Sequence, residues 1–218
     1  MIAFEAVWKT FRLPGGTKKP ILNGLTLDVP RDRQVAVIGR NGMGKSTFLR
    51  LISGVIRPDR GRIHRSGRIS WPMGFSGGLH NALTGRQNAR FIARVYGADT
   101  DEVVALVQDF AELGSFFDEP INMYSSGMKA RLAVGISLAA DFDCYLIDEI
   151  TAVGDTVFRR KAKEAITAKL GHAQIFLVSH SDATLREYCN AALLLNDGDA
   201  YYFDELEAGL DAYKEMTR

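Results

Sequence analysis

The chain has 218 residues, 46% of them apolar and 24% charged, which is the balance of a soluble globular protein long enough to bury the core of one domain, with or without a subdomain. Its 27 basic and 26 acidic side chains leave a formal net charge of +1, which argues against a dominant electrostatic role on nucleic acid. No apolar run approaches the ~18–20 residues of a membrane span, the start Met1-Ile2-Ala3-Phe4-Glu5 lacks a signal-peptide pattern, and Cys144 and Cys189 stand apart without metal or redox spacing, so a cytosolic location is expected.

Residues 2–11 and 21–29 read as strands by their β-branched and apolar content, with Pro14-Gly15-Gly16 as the turn between them. Gln34-Val35-Ala36-Val37-Ile38 reads as a short buried strand. It runs into Gly39-Arg40-Asn41-Gly42-Met43-Gly44-Lys45-Ser46-Thr47, which fits G-x-x-x-x-G-K-[ST], and a helix is predicted from Ser46 to Val55. Glycines at those positions let successive N–H groups turn toward phosphate oxygens. Lys45 can reach the β- and γ-phosphates of a nucleotide, and the Ser46 hydroxyl can ligate Mg²⁺. The helix N-terminus adds its dipole and its unpaired N–H groups.

Gly61 to Trp71 predicts two short strands broken near Ser66-Gly67, and Pro72 to His80 a Gly-rich loop without periodicity. Thr84 to Tyr96 predicts a helix with Thr84 as N-cap and Ala89, Ile92, Ala93 and Tyr96 at helical spacing. Asp101 to Leu113 predicts a second, with Val103, Val104, Val107 and Phe110 recurring at three and four. Residues 80–121 thus interrupt an α/β rhythm as a helical insertion of roughly 40 residues, the size of a subdomain rather than a loop.

Tyr124-Ser125-Ser126-Gly127 opens a helix that runs to Ala140; taken alone it is a helix cap. The strand Phe142 to Ile147 ends in Asp148-Glu149. Ligands of parallel α/β sheets lie at the carboxyl ends of the strands, so Asp148 is expected beside the phosphate loop, holding Mg²⁺ directly or through water. Glu149 is then suited to orient or deprotonate an attacking water, although two acids after an apolar strand also serve as a helix N-cap. A helix from Phe158 to about Leu170 precedes the strand Gln174 to Val178. His180 follows that strand, where it can donate to a γ-phosphate or be a satisfied surface histidine. A helix near 182–189, the strands Ala191 to Leu195 and Ala200 to Phe203 joined at Asn196-Asp197-Gly198, and a last helix carrying Leu206, Leu210 and Tyr213 complete the chain.

Taken together, these segments resemble the ABC transporter ATPase family over essentially the whole chain. Gly39 to Thr47 is similar to its Walker A loop, Cys144 to Glu149 to its Walker B strand, Tyr124-Ser125-Ser126-Gly127-Met128 to its LSGGQ signature, Thr151-Ala152-Val153-Gly154-Asp155 to its D-loop and His180 to its switch histidine. Phe11 matches the aromatic that stacks on adenine, with Trp8 as the neighbouring competitor and a packing role open to both. The resemblance implies an α/β P-loop NTPase core with an N-terminal antiparallel β-subdomain and a helical subdomain at about 80–140, all within one domain, 1–218. ATP with Mg²⁺ would bind at Phe11, Gly39, Asn41, Gly42, Gly44, Lys45, Ser46 and Thr47. Ser46 and Asp148 would hold the metal, and Glu149 and His180 would act in catalysis. Ser125, Ser126, Gly127 and Asp155 would complete the site of a second copy.

Some positions depart from the family pattern. Ser126 stands where glycine is usual, Met128 where glutamine is usual, Ile150 where proline follows the glutamate, and Met73 at the Q-loop glutamine. Methionine neither ligates Mg²⁺ well nor orients water, so another group or a water must substitute for the glutamine. The block Ile69 to Gly78, with Leu83-Thr84-Gly85-Arg86 and the signature, resembles ATP-binding subunits of bacterial capsular polysaccharide exporters, and the end at Arg218 without an extra C-terminal domain favours that type over O-antigen and teichoic acid exporters. That resemblance implies a homodimer on two copies of an integral membrane permease, at the cytoplasmic face of the bacterial inner membrane, within a larger envelope-spanning export assembly and without nucleic acid. Pro72 to His80 is expected to receive a cytosolic helix of the permease. Non-transport ABC ATPases of DNA or ribosomes would carry long coiled coils, a tandem cassette or basic stretches, and a P-loop kinase would lack the ordered signature, D-loop and histidine; none of these alternatives fits as well.

Overall fold

A computed structural model describes residues 1–13, 15–73, 79–148, 156–170 and 173–217. The chain divides into two compact units: the first joins residues 1–72, 143–149 and 173–218, the second residues 73–142 and 150–172.

The first unit holds two sheets. Strands β1 (Ile2–Arg12), β2 (Lys18–Val29) and β4 (Arg60–Arg65) form an antiparallel sheet in the order β2-β1-β4. The other sheet runs β5-β6-β7-β3-β8-β9, built from β3 (Gln34–Ile38), β5 (Ile69–Met73), β6 (Cys144–Asp148), β7 (Gln174–Val178), β8 (Ala191–Asn196) and β9 (Asp199–Phe203). Strands β6, β7, β3 and β8 pair in parallel and β9 returns antiparallel. Their near-continuous apolar sequences fit strands covered on both faces. The two strands predicted on either side of Ser66-Gly67 therefore enter different sheets, and β5 extends through Pro72 and Met73, which the sequence reading assigned to a loop. The rest of that loop, 74–78, lies outside the described residues.

Helix α1 (Lys45–Ser53) supplies Phe48, Leu49, Leu51 and Ile52 to a core shared with both sheets of this unit. The Phe48 ring stacks on Phe4 of β1 at 5.3 Å and meets Phe176 of β7 at 6.3 Å. Burying an aliphatic or phenyl side chain of this kind contributes about 1.5–3 kcal/mol, so the helix that follows the phosphate loop is anchored from two sides. It ends earlier than predicted, at Gly54, whose left-handed φ of 80° lets its N–H return to the Leu51 carbonyl. Arg65 of β4 holds the same end: Nε donates to the Ile52 carbonyl at 2.6 Å and Nη2 to that of Leu51 at 2.7 Å. A cation there also opposes the negative end of the helix dipole.

Helices α6 (Asp182–Tyr188) and α7 (Leu206–Met216) complete the first unit. The turn joining β8 and β9 carries Asp197 and Gly198 at positive φ (45° and 95°), the backbone that an Asp-Gly pair adopts between hairpin strands. Cys144 is buried in β6 and burial pushes its thiol up to about 12, which makes it a packing residue rather than a nucleophile.

The second unit is helical. Helix α2 (Gly85–Tyr96) starts with a capping box: the Gln87 N–H donates to Thr84 Oγ1 and the Thr84 N–H to Gln87 Oε1. Buried Asn88 is fully engaged, accepting from the His80 N–H and donating to the carbonyls of residues 80, 83 and 84. Helix α3 (Thr100–Ala111) is capped by Asp99 and stops at Glu112, short of the predicted Leu113. Two 3₁₀ turns, Gly114–Asp118 and Ile121–Met123, lead to α4 (Ser126–Ala139). Helix α5 (Thr156–Leu170), which precedes β7 in the chain, also packs in this unit, against α4. Among the described residues no helix is long and apolar enough to cross a membrane.

Candidate functional site

The order β6-β7-β3 sets the geometry of the site. Register pairs Asp148 with Val178 across β6 and β7, and Ala36 with Leu177 across β7 and β3, so the three strands end at one edge. The phosphate loop leaves β3 there, Asp148 closes β6, and His180 lies just past β7. A cavity of about 400 Å³ opens over that edge, lined by Asn41, Gly42, Gly44, Lys45, Ser46, Thr47, Asp148 and His180, with Ile21 and Val178 as apolar wall. Residues far apart in sequence thus converge because parallel strands deliver their carboxyl ends to one side.

Gly44 is the N-cap of α1 at φ 98°, and a Cβ there would stand 2.6 Å from Ile21 Cγ2. No side chain caps this helix and its first turn carries no acid, so its N–H groups and positive dipole end face the cavity wall that the loop forms. Changing Gly44 to alanine should strain this backbone and press on Ile21. The expected outcome is a loss of nucleotide affinity of at least about tenfold, or 1.4 kcal/mol, in a titration with a fluorescent ATP analogue, with circular dichroism unchanged.

The Lys45 ammonium donates to the carbonyls of Gly39 at 2.6 Å and Arg40 at 3.2 Å, which fixes it across the loop that it serves. Gly39 lines a smaller cavity of about 90 Å³ that shares Lys45 and His180 with the larger one and is closed by Ser179, Asp182, Leu185, Leu210 and Tyr213. Oxygen donors suited to Mg²⁺ are present in the large cavity as the Ser46 hydroxyl and the Asp148 carboxylate. Among the described residues no cluster of three or more His, Cys, Asp or Glu could hold a metal by itself.

The sequence left Phe11 and Trp8 as rivals for an adenine platform. Phe11 is opposite Lys19 in the β1–β2 register, and the Lys19 ammonium lies 3.3 Å from where a Gly42 Cβ would be, so Lys19 borders the phosphate loop. Trp8 is opposite Asn23, and its indole covers Gly24 at 3.0–3.2 Å from the position of a Cβ there. Both rings are about 40% exposed (Trp8 42%, Phe11 40%), and the Lys9 ammonium sits 5.4 Å from the Phe11 centroid. Lys19, Ile21 and Val178 carry no motif, and sequence reasoning missed them; only the β1–β2 pairing and the sheet order bring them in.

In the second unit, Ser125, Ser126 and Gly127 open α4. The Ser125 hydroxyl accepts from the Met128 N–H at 3.2 Å, while both serines remain exposed. Tyr124 is buried beneath them and its hydroxyl donates to the Phe116 carbonyl at 2.6 Å, so the first residue of this motif is an anchor and the next three present polar surface. Glu149 and Asp155 lie outside the described residues, as does the Met73 side chain.

Known proteins resemble this chain in sequence and in fold. The family model described as "ABC transporter" matches residues 22–152. The capsule polysaccharide export ATP-binding protein CtrD of Neisseria meningitidis serogroup B is 44% identical over 99% of this chain and all of that protein. The ATP-binding protein BexA of Haemophilus influenzae is 43% identical over the whole of both chains. The O-antigen export system ATP-binding protein RfbB of Klebsiella pneumoniae is 35% identical over 95% of this chain and 86% of that one. Among solved structures, a dimeric ATP-binding cassette in a post-hydrolysis state with ADP and phosphate superposes with a TM-score of 0.74 at 19% identity, covering 93% of this chain and 98% of the other. The chain belongs to the ABC transporter family, and its α/β fold is that of the ATP-binding cassette.

Proposed function

We propose that this ABC-family chain is the ATP-hydrolysing subunit of an exporter of capsular or related cell-surface polysaccharide. The reading rests on one observation: the cavity lined by Asn41, Gly42, Gly44 to Thr47, Asp148 and His180 occurs in a chain that is 44% identical, end to end, to a capsule polysaccharide export ATP-binding protein. ATP lies with its phosphates on the loop from Gly39 to Thr47 and its adenine on Phe11, which the placement of Lys19 favours over Trp8. Lys45 holds the β- and γ-phosphates. Mg²⁺, which the Ser46 and Asp148 oxygens fit, would neutralise charge on the phosphate oxygens when bound.

Water attacks the γ-phosphorus, the bond to the ADP oxygen breaks, and the water proton passes to Glu149. His180 donates to the γ-phosphate. Ser125, Ser126, Gly127 and Asp155 of a second copy complete the site, so two chains related by a two-fold axis close over two ATP molecules. Because the γ-phosphate is the contact that distinguishes open from closed dimer, hydrolysis releases it. Residues 1–218 act as one cassette, with the helices at about 80–140 as a subdomain. The cassette sits at the cytoplasmic face of the inner membrane through two copies of a permease, within a larger envelope-spanning assembly.

A tagged chain recovered from gently solubilised membranes of its host should carry a polytopic membrane protein at equal amount, identified by mass spectrometry. Changing both Phe75 and Leu79 to Asp should lose that partner, because two carboxylates would enter an apolar contact. Recovery of ribosomes, nucleic acid or soluble partners alone would sink the exporter reading. The 35% identity to an O-antigen export protein supports a second cargo class, and the neighbouring genes of the recovered permease decide between them.

A further inference from the structure

We propose that Glu112, Arg131 and Lys161 are positioning residues that tie the signature helix α4 and the helix α5 after the Thr151 to Asp155 segment into one body. The proposal rests on the two-copy site described above, and it assigns these residues to the reaction although they stand away from the nucleotide residues in sequence and in every motif.

Glu112 ends α3 in a left-handed conformation, φ 50° and ψ 46°. Glycine or asparagine is the usual choice at such a position, because a Cβ there crowds the following carbonyl oxygen. A glutamate therefore needs a use for its side chain, and each of its carboxylate oxygens has one. Oε1 accepts from Lys161 of α5 at 2.6 Å, and Oε2 lies 3.7 Å from Nη1 of Arg131 on α4. One carboxylate thus bridges cations from two helices at the end of a third.

Lys161 does more than pair. Its ammonium also donates to the carbonyls of Asp109 at 3.4 Å and Phe110 at 3.3 Å, two of the last carbonyls of α3, and stands 5.1 Å from the Phe110 ring centroid. Arg131 lies over the Phe158 ring of α5 at 4.5 Å, and Phe158 meets Phe110 edge to face at 5.5 Å. Phe158 is buried, and Gly135 of α4 leaves the room that Phe110 takes: a Cβ there would be 3.3 Å from the ring. Charged and aromatic contacts therefore run from α4 to α5 both directly and through α3.

Simple stabilisation of a helix end would explain Lys161 with the α3 carbonyls. It does not explain a glutamate split between α4 and α5, nor Arg131, which lies on α4 five residues beyond Ser126, stacked on α5. The arrangement couples the first turns of α4 to the first turns of α5, so that a shift of one helix carries the other.

Lys161→Met keeps the length of the stem and removes the charge; Lys161→Arg keeps the charge. Lys161→Met should lower kcat about tenfold, within the range known for coupling residues remote from ligand, with KM for ATP changed by less than about twofold because the phosphate loop is untouched. Lys161→Arg, which keeps a cation facing Glu112 and the Phe110 ring, should recover most of the kcat that Lys161→Met loses. Amide hydrogen exchange without turnover is the independent readout: Lys161→Met should speed exchange in the first turns of α4 and α5 together by about fivefold or more and leave α1 unchanged. Parental kcat in Lys161→Met, no rescue by arginine, or faster exchange in α5 alone would each overturn the proposal. A parent chain that hydrolyses no ATP would defeat the ATPase reading instead, and the exchange pattern would still decide this one.

Discussion

Changing Lys45 to methionine is expected to cut ATP affinity by about 100-fold or more. A hydrogen bond from a charged donor contributes about 1.5–3 kcal/mol, in the proposed site this ammonium would serve two phosphates, and each 1.4 kcal/mol is tenfold. Methionine keeps much of the apolar stem, so the α1 core of Phe48, Leu49, Leu51 and Ile52 should survive and circular dichroism should match the parent. The ammonium also bridges the carbonyls of Gly39 and Arg40, so its loss loosens the loop as well as removing the charge. Titration with a fluorescent ATP analogue checks the result, and parental affinity would show that the loop does not grip phosphate through this residue.

Changing Glu149 to glutamine should have the opposite division of effects. Positioned proton transfer typically contributes about 10²–10⁴-fold, so turnover should fall by that order while ATP binding persists. Without hydrolysis the γ-phosphate stays in place, and the closed two-chain form should accumulate with ATP. Light scattering after gel filtration should then report twice the monomer mass with ATP and the monomer without it. Parental turnover in this variant would falsify the role of Glu149. A variant that loses turnover but stays monomeric with ATP would instead remove the closing step from the mechanism.

The parts of this protein that were legible in its sequence are those whose signals are local. The glycines around Lys45 declare a backbone that wraps within nine residues, and strand and helix on either side follow from apolar runs that need no distant partner. Thr84 declares itself an N-cap, although the box that it closes with Gln87 shows only in the structure, and Asp197-Gly198 declares its hairpin turn. Helix ends were less legible. Gly54 stops α1 early, and Glu112 stops α3 with a residue whose type gives no such warning and whose carboxylate pairs with α4 and α5.

The sequence by itself determined a phosphate loop on a strand and helix, the order of the motifs that share its chemistry, and hence the ABC resemblance, because each depends on short-range backbone geometry. Tertiary structure alone decided what meets what. It sent β4 and β5 into different sheets, set Lys19, the register partner of Phe11, beside Gly42, and joined α3, α4 and α5 through Glu112. The physical reason is the same in each case: strand order and helix packing are chosen by how apolar faces bury one another, and a side chain acquires its partner only after that choice is made.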